Sequence, residues 1–521
     1  MAAFALLREI YFFPKLDLIP NPDNSWLIYA AGRWLNGQKL YVDILETNPP
    51  LIIWLSAIPV YIARMLHVSE FKVAVILVTA LNLLSIFLCA KALKNHKILS
   101  EKLAFFAILL FIAFGFFVLT PALYGQRETL FIALVLPYLL WSLPQDSRLR
   151  GYDKIIIAMA AIGFAIKPFF MLIWGINELC IAVERRSLRT IFAWHNWVIG
   201  FAQILYFTAI YFITPEYIYN IFPALMVTYF TFESSWKTIL TPVAEIGGGT
   251  IAILFLAKLR GDFVSLALRI FAWFVACAGL MIVQCKDWPN HEHPMVFMAG
   301  LAVLLVFIFL IGEWKKLKLD IGHRKFIALC FSIAIFIGSG YLLASFHKFM
   351  LTKPSKLSQK LLAEINEKAA GKEIYPLVYN IQPSFPTVAI SNGVFSGGFH
   401  QLWPMAGLII REQNGDNSPE FIKVKQWFMD VLVRDFITHP PTLVWVDENV
   451  NLEKIGEYDI KPENRDIIAV LSRDDRFAKI WQNYKKTGEI IAEEYPDDEK
   501  EKTEEEKKKK PNKLAIYQLK N

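Results

Sequence analysis

The sequence predicts a mainly α, polytopic helical membrane protein with a small C-terminal α/β domain. Three observations predict it. Hydrophobic residues are 55% of the 521, and the mean hydropathy is +0.39. A soluble domain has no use for so much apolar surface, because its polar shell faces water. The apolar residues gather in runs of about 18 or more, the length that crosses roughly 30 Å of hydrocarbon. Beyond about residue 350 the texture becomes polar, with short strand-like runs. The net charge of +7 then reads as loop positivity and not as a nucleic-acid footprint, so membrane lipid is an expected partner and nucleic acid is not. Cys89, Cys180, Cys277, Cys285 and Cys330 lie in or beside apolar runs. Without ligand-type spacing they give neither a disulfide framework nor a zinc site.

Residues 1–13 are apolar but too short to span, and Pro14 ends them. No basic region and small-residue cleavage site mark a signal peptide. Two readings stand: an interfacial piece, or a first helix missing ahead of it. The first external loop, 14–49, follows, and its core is "PDNSWLIYAAGRWLNGQKLYVDILETNPPL" from Pro22 to Leu51. In "SWLIYAAGRWL", Ser25 or Asn24 is the expected cap, which sets Asp23 just before a short helix. "LYVD" reads as extended, and the whole loop as one or two short helices at the membrane surface.

About ten spans are expected, with an uncertainty of two or three: 50–66, 73–93, 103–120, 128–143, 154–182, 192–213, 243–258, 266–284, 294–312 and 325–346. The 154–182 run is too long for one upright helix and is interrupted at Lys167-Pro168. It is either two short helices or one kinked, tilted helix. The loops at Glu184–Arg189, Lys258–Arg269 and Glu313–Lys325 are basic and read as cytoplasmic. The segment Lys91–Lys102 is basic as well, and simple alternation does not put it on that side with Asp23 outside.

The membrane domain is read as 1–349 and the α/β domain as 350–521. Helices are expected at 354–370 and 418–437. Strands are expected at "YPLVYNI", "PTVAI", "PTLVWV", "DIIAVL", "EIIAEEY" and "KLAIYQL". The charged run 496–512 is too polar to bury and reads as a solvated loop before a returning strand.

Candidate chemistry begins at Asp23. A carboxylate in a loop beside a membrane helix suits a general base acting on a hydroxyl or amine, and it also suits an N-cap. Asp43 and Glu46 are three apart and suit one side of a turn, where they would hold a divalent cation such as Mg2+ or Mn2+, or serve as ordinary loop acids. Trp26, Trp34 and Tyr41 beside them suit sugar rings, and equally an interfacial aromatic belt. Arg127 and Glu128 open a helix. They read as an ion pair with the acid favoured by the helix dipole, or as Arg127 presenting its planar fork to a phosphate. Lys167 within an apolar run marks a functional position by default, unless the run is two helices and the lysine sits at an interface. In "CKDWPNHEHPMV", His291, Glu292 and His293 are too closely spaced for the usual two-histidine helical metal site. A phosphate or substrate contact fits His291 and His293 better, and a plain interfacial loop fits as well.

The order of an acid, an amphipathic helix, "NGQKLYVDILETNPPL" and an apolar helix resembles the first external loop of the GT-C glycosyltransferases. Within them it is similar to the family-39-type and Rgt-like bacterial proteins, related to protein mannosyltransferases and to the lipid A aminoarabinose transferase. In that pattern an Asp opens the loop, a G-x-x-L/P-Y-x-D element follows, and Pro-Pro-Leu begins the next helix. The matching positions here are Asp23, Gly37, Tyr41, Asp43 and Pro49–Leu51. The segments "GQRETLFIALVLPYLL" and "KPFF…NELCIAVERRSLR", the W-P-x-H-x-x-P loop at Trp288–Pro294, and "SGGFHQLWPMAGL" at Ser396–Leu408 are also similar to bacterial members. The chain departs from the pattern at Asn24, where a second acid often follows the first, and in having only about a dozen apolar residues ahead of the loop.

The resemblance implies a sugar donor on a polyprenyl phosphate and a lipid, glycan or protein acceptor in the cell envelope, lipopolysaccharide included. It implies inverting transfer at the outer face of the cytoplasmic (inner) membrane, with the C-terminal domain periplasmic. Asp23 would be the base. Arg127, Lys167 and His291 or His293 would stabilise the departing phosphate, with Asp43, Glu46 and Glu128 contacting substrate. Two rival classes predict other features. A flippase or transporter of lipid-linked sugars predicts paired broken helices and a pseudo-repeat, and the sequence has one interruption and no repeat. A non-catalytic scaffold would tolerate loss of all three loop acids.

Overall fold

The computed structural model describes residues 21–119, 123–143, 151–231, 234–256, 258–286, 288–316, 355–448, 454–455, 458–492 and 512–520. The expectations for 1–13, for the span 325–346 and for nearly all of the charged run 496–512 lie outside these residues. The described chain forms two compact units. One holds residues 74–208 and 236–316. The other holds 21–73, 209–235 and everything from 355 onward.

In order, the helices are α1 (Pro22–Leu35), α2 (Leu51–Leu66), α3 (Glu70–Leu93), α4 (Lys102–Phe114), α5 (Arg127–Trp141), α6 (Asp153–Ala165), α7 (Met171–Glu184), α8 (Trp194–Ile213), α9 (Phe222–Thr228), α10 (Trp236–Leu256), α11 (Asp262–Gln284) and α12 (Pro289–Lys316). Five of them are long and apolar enough to cross a membrane: Glu70–Leu93, Trp194–Ile213, Trp236–Phe255, Asp262–Gln284 and Pro289–Gly312. The chain is a polytopic membrane protein. The other spans expected among the described residues are present as shorter helices. The 154–182 run is two of them, α6 and α7, joined by a single tight turn at Pro168–Phe170. Lys167 is extended there (φ −136°, ψ 134°), because a following proline excludes the helical region for its predecessor.

In the first unit α11 packs along α12 and α7, and α6 along α5. The α5–α6 approach is close. A Cβ on Gly163 would lie 2.6 Å from Val135 Cγ2, so the small residue sets the helix spacing.

The second unit is built on α1, α2, α9 and the C-terminal segment. That segment comprises α13 (Lys356–Lys368), β1 (Ile374–Leu377), α14 (Ser384–Ile390), α15 (Trp403–Gln413), α16 (Pro419–Thr438), β2 (Leu443–Asp447), the small pair β3 (Lys454–Ile455) and β4 (Tyr458–Asp459), α17 (Ile467–Leu471), α18 (Asp475–Trp481), β5 (Tyr484–Ala492) and β6 (Asn512–Leu519). The main sheet has the order β1-β2-β6-β5. β1 and β2 are parallel, and β6 is antiparallel to both its neighbours. The strand after the charged run therefore returns between two earlier ones.

Two expected strands are helices. "PTVAI" falls in α14 and "DIIAVL" in α17. Apolar runs this short carry no decisive period. At α17 the Asp466 side chain accepts a hydrogen bond from the Ala469 amide at 3.0 Å, a cap that starts a helix. Helices α15 and α18 were not expected.

Helix α9 packs against α15 with no space for a side chain. A Cβ on Gly407 would lie 2.2 Å from the Thr228 carbonyl oxygen and 2.5 Å from its Cα. These are backbone atoms and cannot swing aside. Gly407→Val is expected to destabilise by about 1–3 kcal/mol, read as a lowered melting temperature of the purified protein. An unchanged melting temperature would contradict this packing.

Candidate functional site

The first unit gathers four of the expected site residues around one buried ion pair. Lys167 projects from the α6–α7 break, and its Nζ lies 2.5 Å from Glu128 Oε1 in the first turn of α5. Both side chains are buried. Nζ also donates to Gln284 Oε1 at 3.1 Å, and Gln284 donates in turn to the Leu280 carbonyl at 3.0 Å, which fixes its amide. The ammonium lies 5.6 Å and 5.9 Å from the ring centres of Phe169 and Phe170. Phe170 stacks on Phe131 at 4.0 Å.

Half-buried Arg127 and buried His291 both act electrostatically on the Glu128 carboxylate. The His291 ring nitrogen Nδ1 meets the Lys286 carbonyl at 3.4 Å, and Trp288 lies 5.3 Å away. His293 is buried beside Phe297, with ring centres 6.3 Å apart. Glu128 Oε2 is buried with no hydrogen-bond partner among the described residues. Gln284 and buried Lys286 were not anticipated. A glutamine ending an otherwise apolar helix was the available signal.

The second unit holds the loop acids. Asn21, not Ser25 or Asn24, caps α1: its side chain accepts from the Asp23 amide at 3.0 Å and the Asn24 amide at 3.4 Å. The helix begins at Pro22, a residue suited to the first position, so Asp23 lies inside the first turn.

Glu46 is buried. Its Oε2 accepts from Trp26 Nε1 at 2.6 Å, and its Oε1 from the Asn48 amide at 2.9 Å, from Thr47 Oγ1 at 3.2 Å and from Asn48 Nδ2. Asp43 accepts from the Lys39 amide at 2.9 Å, closing its own turn. The two acids are thus committed separately, and no group of three or more His, Cys, Asp or Glu that would hold a metal occurs among the described residues. Mg2+ or Mn2+ does not fit this pair.

Arg33, which was not anticipated, ties the loop to the "SGGFHQLWP" segment. It donates to the carbonyls of Gly397 and Ser396, both at 2.7 Å, and to that of Asp43 at 2.9 Å. Burial lowers its pKa, while Tyr29, Asp435 and Asp43 push it back up. Asp435 accepts from the Gly398 amide at 2.6 Å and from Tyr375 Oη at 3.1 Å. His400 stacks on Trp26, with ring centres 4.0 Å apart and planes 17° apart. Burial, with a smaller push from Arg33, drives the His400 pKa down to about 4 against the attraction of Glu46.

The fold is similar to that of two solved structures of one membrane protein, ArnT. The solved structures it matches include ArnT from Cupriavidus metallidurans bound to undecaprenyl phosphate. The TM-score is 0.53 at 12% identity, covering 99% of this chain and 97% of that one. ArnT in the apo state matches with a TM-score of 0.50 at 13% identity, over 85% of this chain and 92% of that one. At these identities the likeness is one of fold. The sequence matches no protein-family model and no curated protein.

Two outcomes are expected. Glu128→Gln strands the Lys167 charge and costs about 3–5 kcal/mol, read as a lowered melting temperature. Glu128→Gln with Lys167→Met removes both charges and recovers most of that loss. A double variant as unstable as the single one would contradict the ion-pair account. For His400, the folded pKa lies below the ordinary 6.5, so the unfolded chain binds the proton first. Stability is then lost as pH falls through 6.5 and levels off below about 4. Relative to His400→Phe, wild type should lose about 2 kcal/mol between pH 7 and pH 5. Parallel pH profiles would contradict it.

Proposed function

We propose that the chain is a glycosyltransferase that moves a sugar from a polyprenyl-phosphate donor to a lipid, glycan or protein acceptor, with inversion. The reaction would take place at the outer face of the inner membrane, with the C-terminal domain periplasmic. The observation that carries the proposal is the fold likeness over 99% of the chain to ArnT bound to undecaprenyl phosphate. The first-loop motif adds to it, as does the grouping of Arg127 and Lys167 around Glu128 in the helical unit.

The residues divide the chemistry as follows. The Asp23 carboxylate takes the proton from the acceptor hydroxyl or amine as that atom bonds to the anomeric carbon. The bond from that carbon to the phosphate oxygen breaks, and the phosphate leaves with the electron pair. Arg127 and Lys167 stabilise the charge that grows on it, with His291 or His293 completing the contact. Glu128 and Gln284 hold the Lys167 ammonium in place. Trp34, half-buried, supplies an aromatic face suited to a sugar or acceptor.

The test is transfer in membranes from a panel of radiolabelled polyprenyl-phosphate sugars, with wild type beside Asp23→Asn. Asparagine keeps the shape, and the cap belongs to Asn21, so the helix is spared. Transfer by wild type that falls by about 100-fold or more in the variant is expected. Equal transfer by both would leave an enzyme with another base. No transfer from any donor by folded protein would overturn the reading and favour a lipid-linked sugar transporter.

A further inference from the structure

Helix α10 carries a feature that the transfer reaction does not use. Its residues Trp236–Phe255 are long and apolar enough to cross a membrane, and they are the least buried of the five such stretches. The helix packs on α11 and α12 through one side. Ile239, Gly247 and Thr250 are buried there, and a Cβ on Gly247 would lie 3.3 Å from the Phe274 ring. Successive residues turn by about 100°, so Glu245 lies nearly opposite Gly247. Thr241, Gly248, Gly249 and Ala252 share its side, and all five are exposed. A Cβ on Gly248 or on Gly249 would meet nothing within 4 Å, so this face is open.

Glu245 lies halfway along those 20 residues, about 14 Å from either end. Half the hydrocarbon thickness is about 15 Å, which sets the carboxyl group near the bilayer centre. It forms no hydrogen bond or ion pair with the described residues. Thr241 is committed elsewhere, because its Oγ1 donates to the Lys237 carbonyl at 2.6 Å. An ionisable group at this depth is costly, and as a rule it faces the bundle interior or a water-filled cavity and meets a partner there. Glu245 faces outward. Its side chain is too short to reach the interface as lysine and arginine do.

The cost falls when a second helix brings a donor to the carboxyl group. Glycines three and four residues on let a neighbouring backbone approach closely, as in other membrane helix pairs. A cation complements the acid, and a lysine or arginine within a membrane helix has the same need of a counter-charge. A second copy of this chain would set acid against acid at one depth and leave that need unmet. We propose that the Glu245 face of α10 is the docking site for a transmembrane helix of another protein, one that carries a lysine or arginine at mid-span. The cation pairs with Glu245, and the partner backbone lies over Gly248 and Gly249.

The test uses the full chain in lipid vesicles with a labelled poly-leucine transmembrane peptide that carries one central lysine. Energy transfer reports association, and the same peptide with leucine in place of the lysine is the reference. Wild type is expected to bind the lysine peptide at least about tenfold more tightly than the reference. Glu245→Gln should lose that preference, and Gly248→Leu should weaken binding of the lysine peptide at least about fivefold. Both positions are exposed, so neither substitution should lower the melting temperature. Equal binding of the two peptides by wild type, or a preference that survives Glu245→Gln, would overturn the proposal. Energy transfer between two labelled copies of wild type that Glu245→Gln abolishes would also overturn it, because a second copy would then be the occupant.

Discussion

The helical unit depends on how one ammonium is kept away from water. A lysine within an apolar bundle is costly unless an opposite charge and further acceptors meet it. Glu128 and Gln284 meet Lys167 here. Their demands explain the local architecture. Pro168 pulls Lys167 out of the helix, so its side chain starts from extended backbone between α6 and α7. Glu128 comes from the first turn of α5, where the helix dipole also favours an acid. Gln284 comes from the last turn of α11. Three separate stretches of sequence are bound to one charge.

The second unit uses the same logic on backbone carbonyls. Arg33 is buried and meets three of them, from Asp43, Ser396 and Gly397. Asp435 receives the next amide, that of Gly398. Trp26 is held between the Glu46 carboxylate and the His400 ring. The loop that opens the chain and a segment more than 350 residues later therefore form one packed body. Asp23 belongs to the helix that this body fixes.

Much of the fold was legible in the sequence, because span length and the Lys167-Pro168 interruption are set by local chemistry. The helix from Leu51, the apolar helices ending near Leu93 and Gln284, and the returning strand at "KLAIYQL" lie where the sequence placed them. The errors fell where several local signals competed. Asn21 outranked Ser25 and Asn24 as a cap because Pro22 suits the first helical position. "PTVAI" and "DIIAVL" were too short for periodicity to separate strand from helix. At the site, Lys167, Arg127, Glu128 and His291 were visible singly, because charge in apolar sequence stands out. Their grouping, with Gln284 as the third party, depends on tertiary packing. Arg33, Asp435 and His400 stayed hidden for the same reason: each is an ordinary polar residue in a mixed segment, and only the long-range fold buries it.

The central claim is that this chain handles a polyprenyl phosphate. The most direct measurement is equilibrium binding of a polyprenyl phosphate and of the matching unphosphorylated polyprenol to the purified protein, by native mass spectrometry. The account predicts that the phosphate form is retained and the alcohol is not, with retention lost when Arg127 and Lys167 are both replaced by uncharged residues. Equal retention of both lipids, or retention of neither, would contradict it.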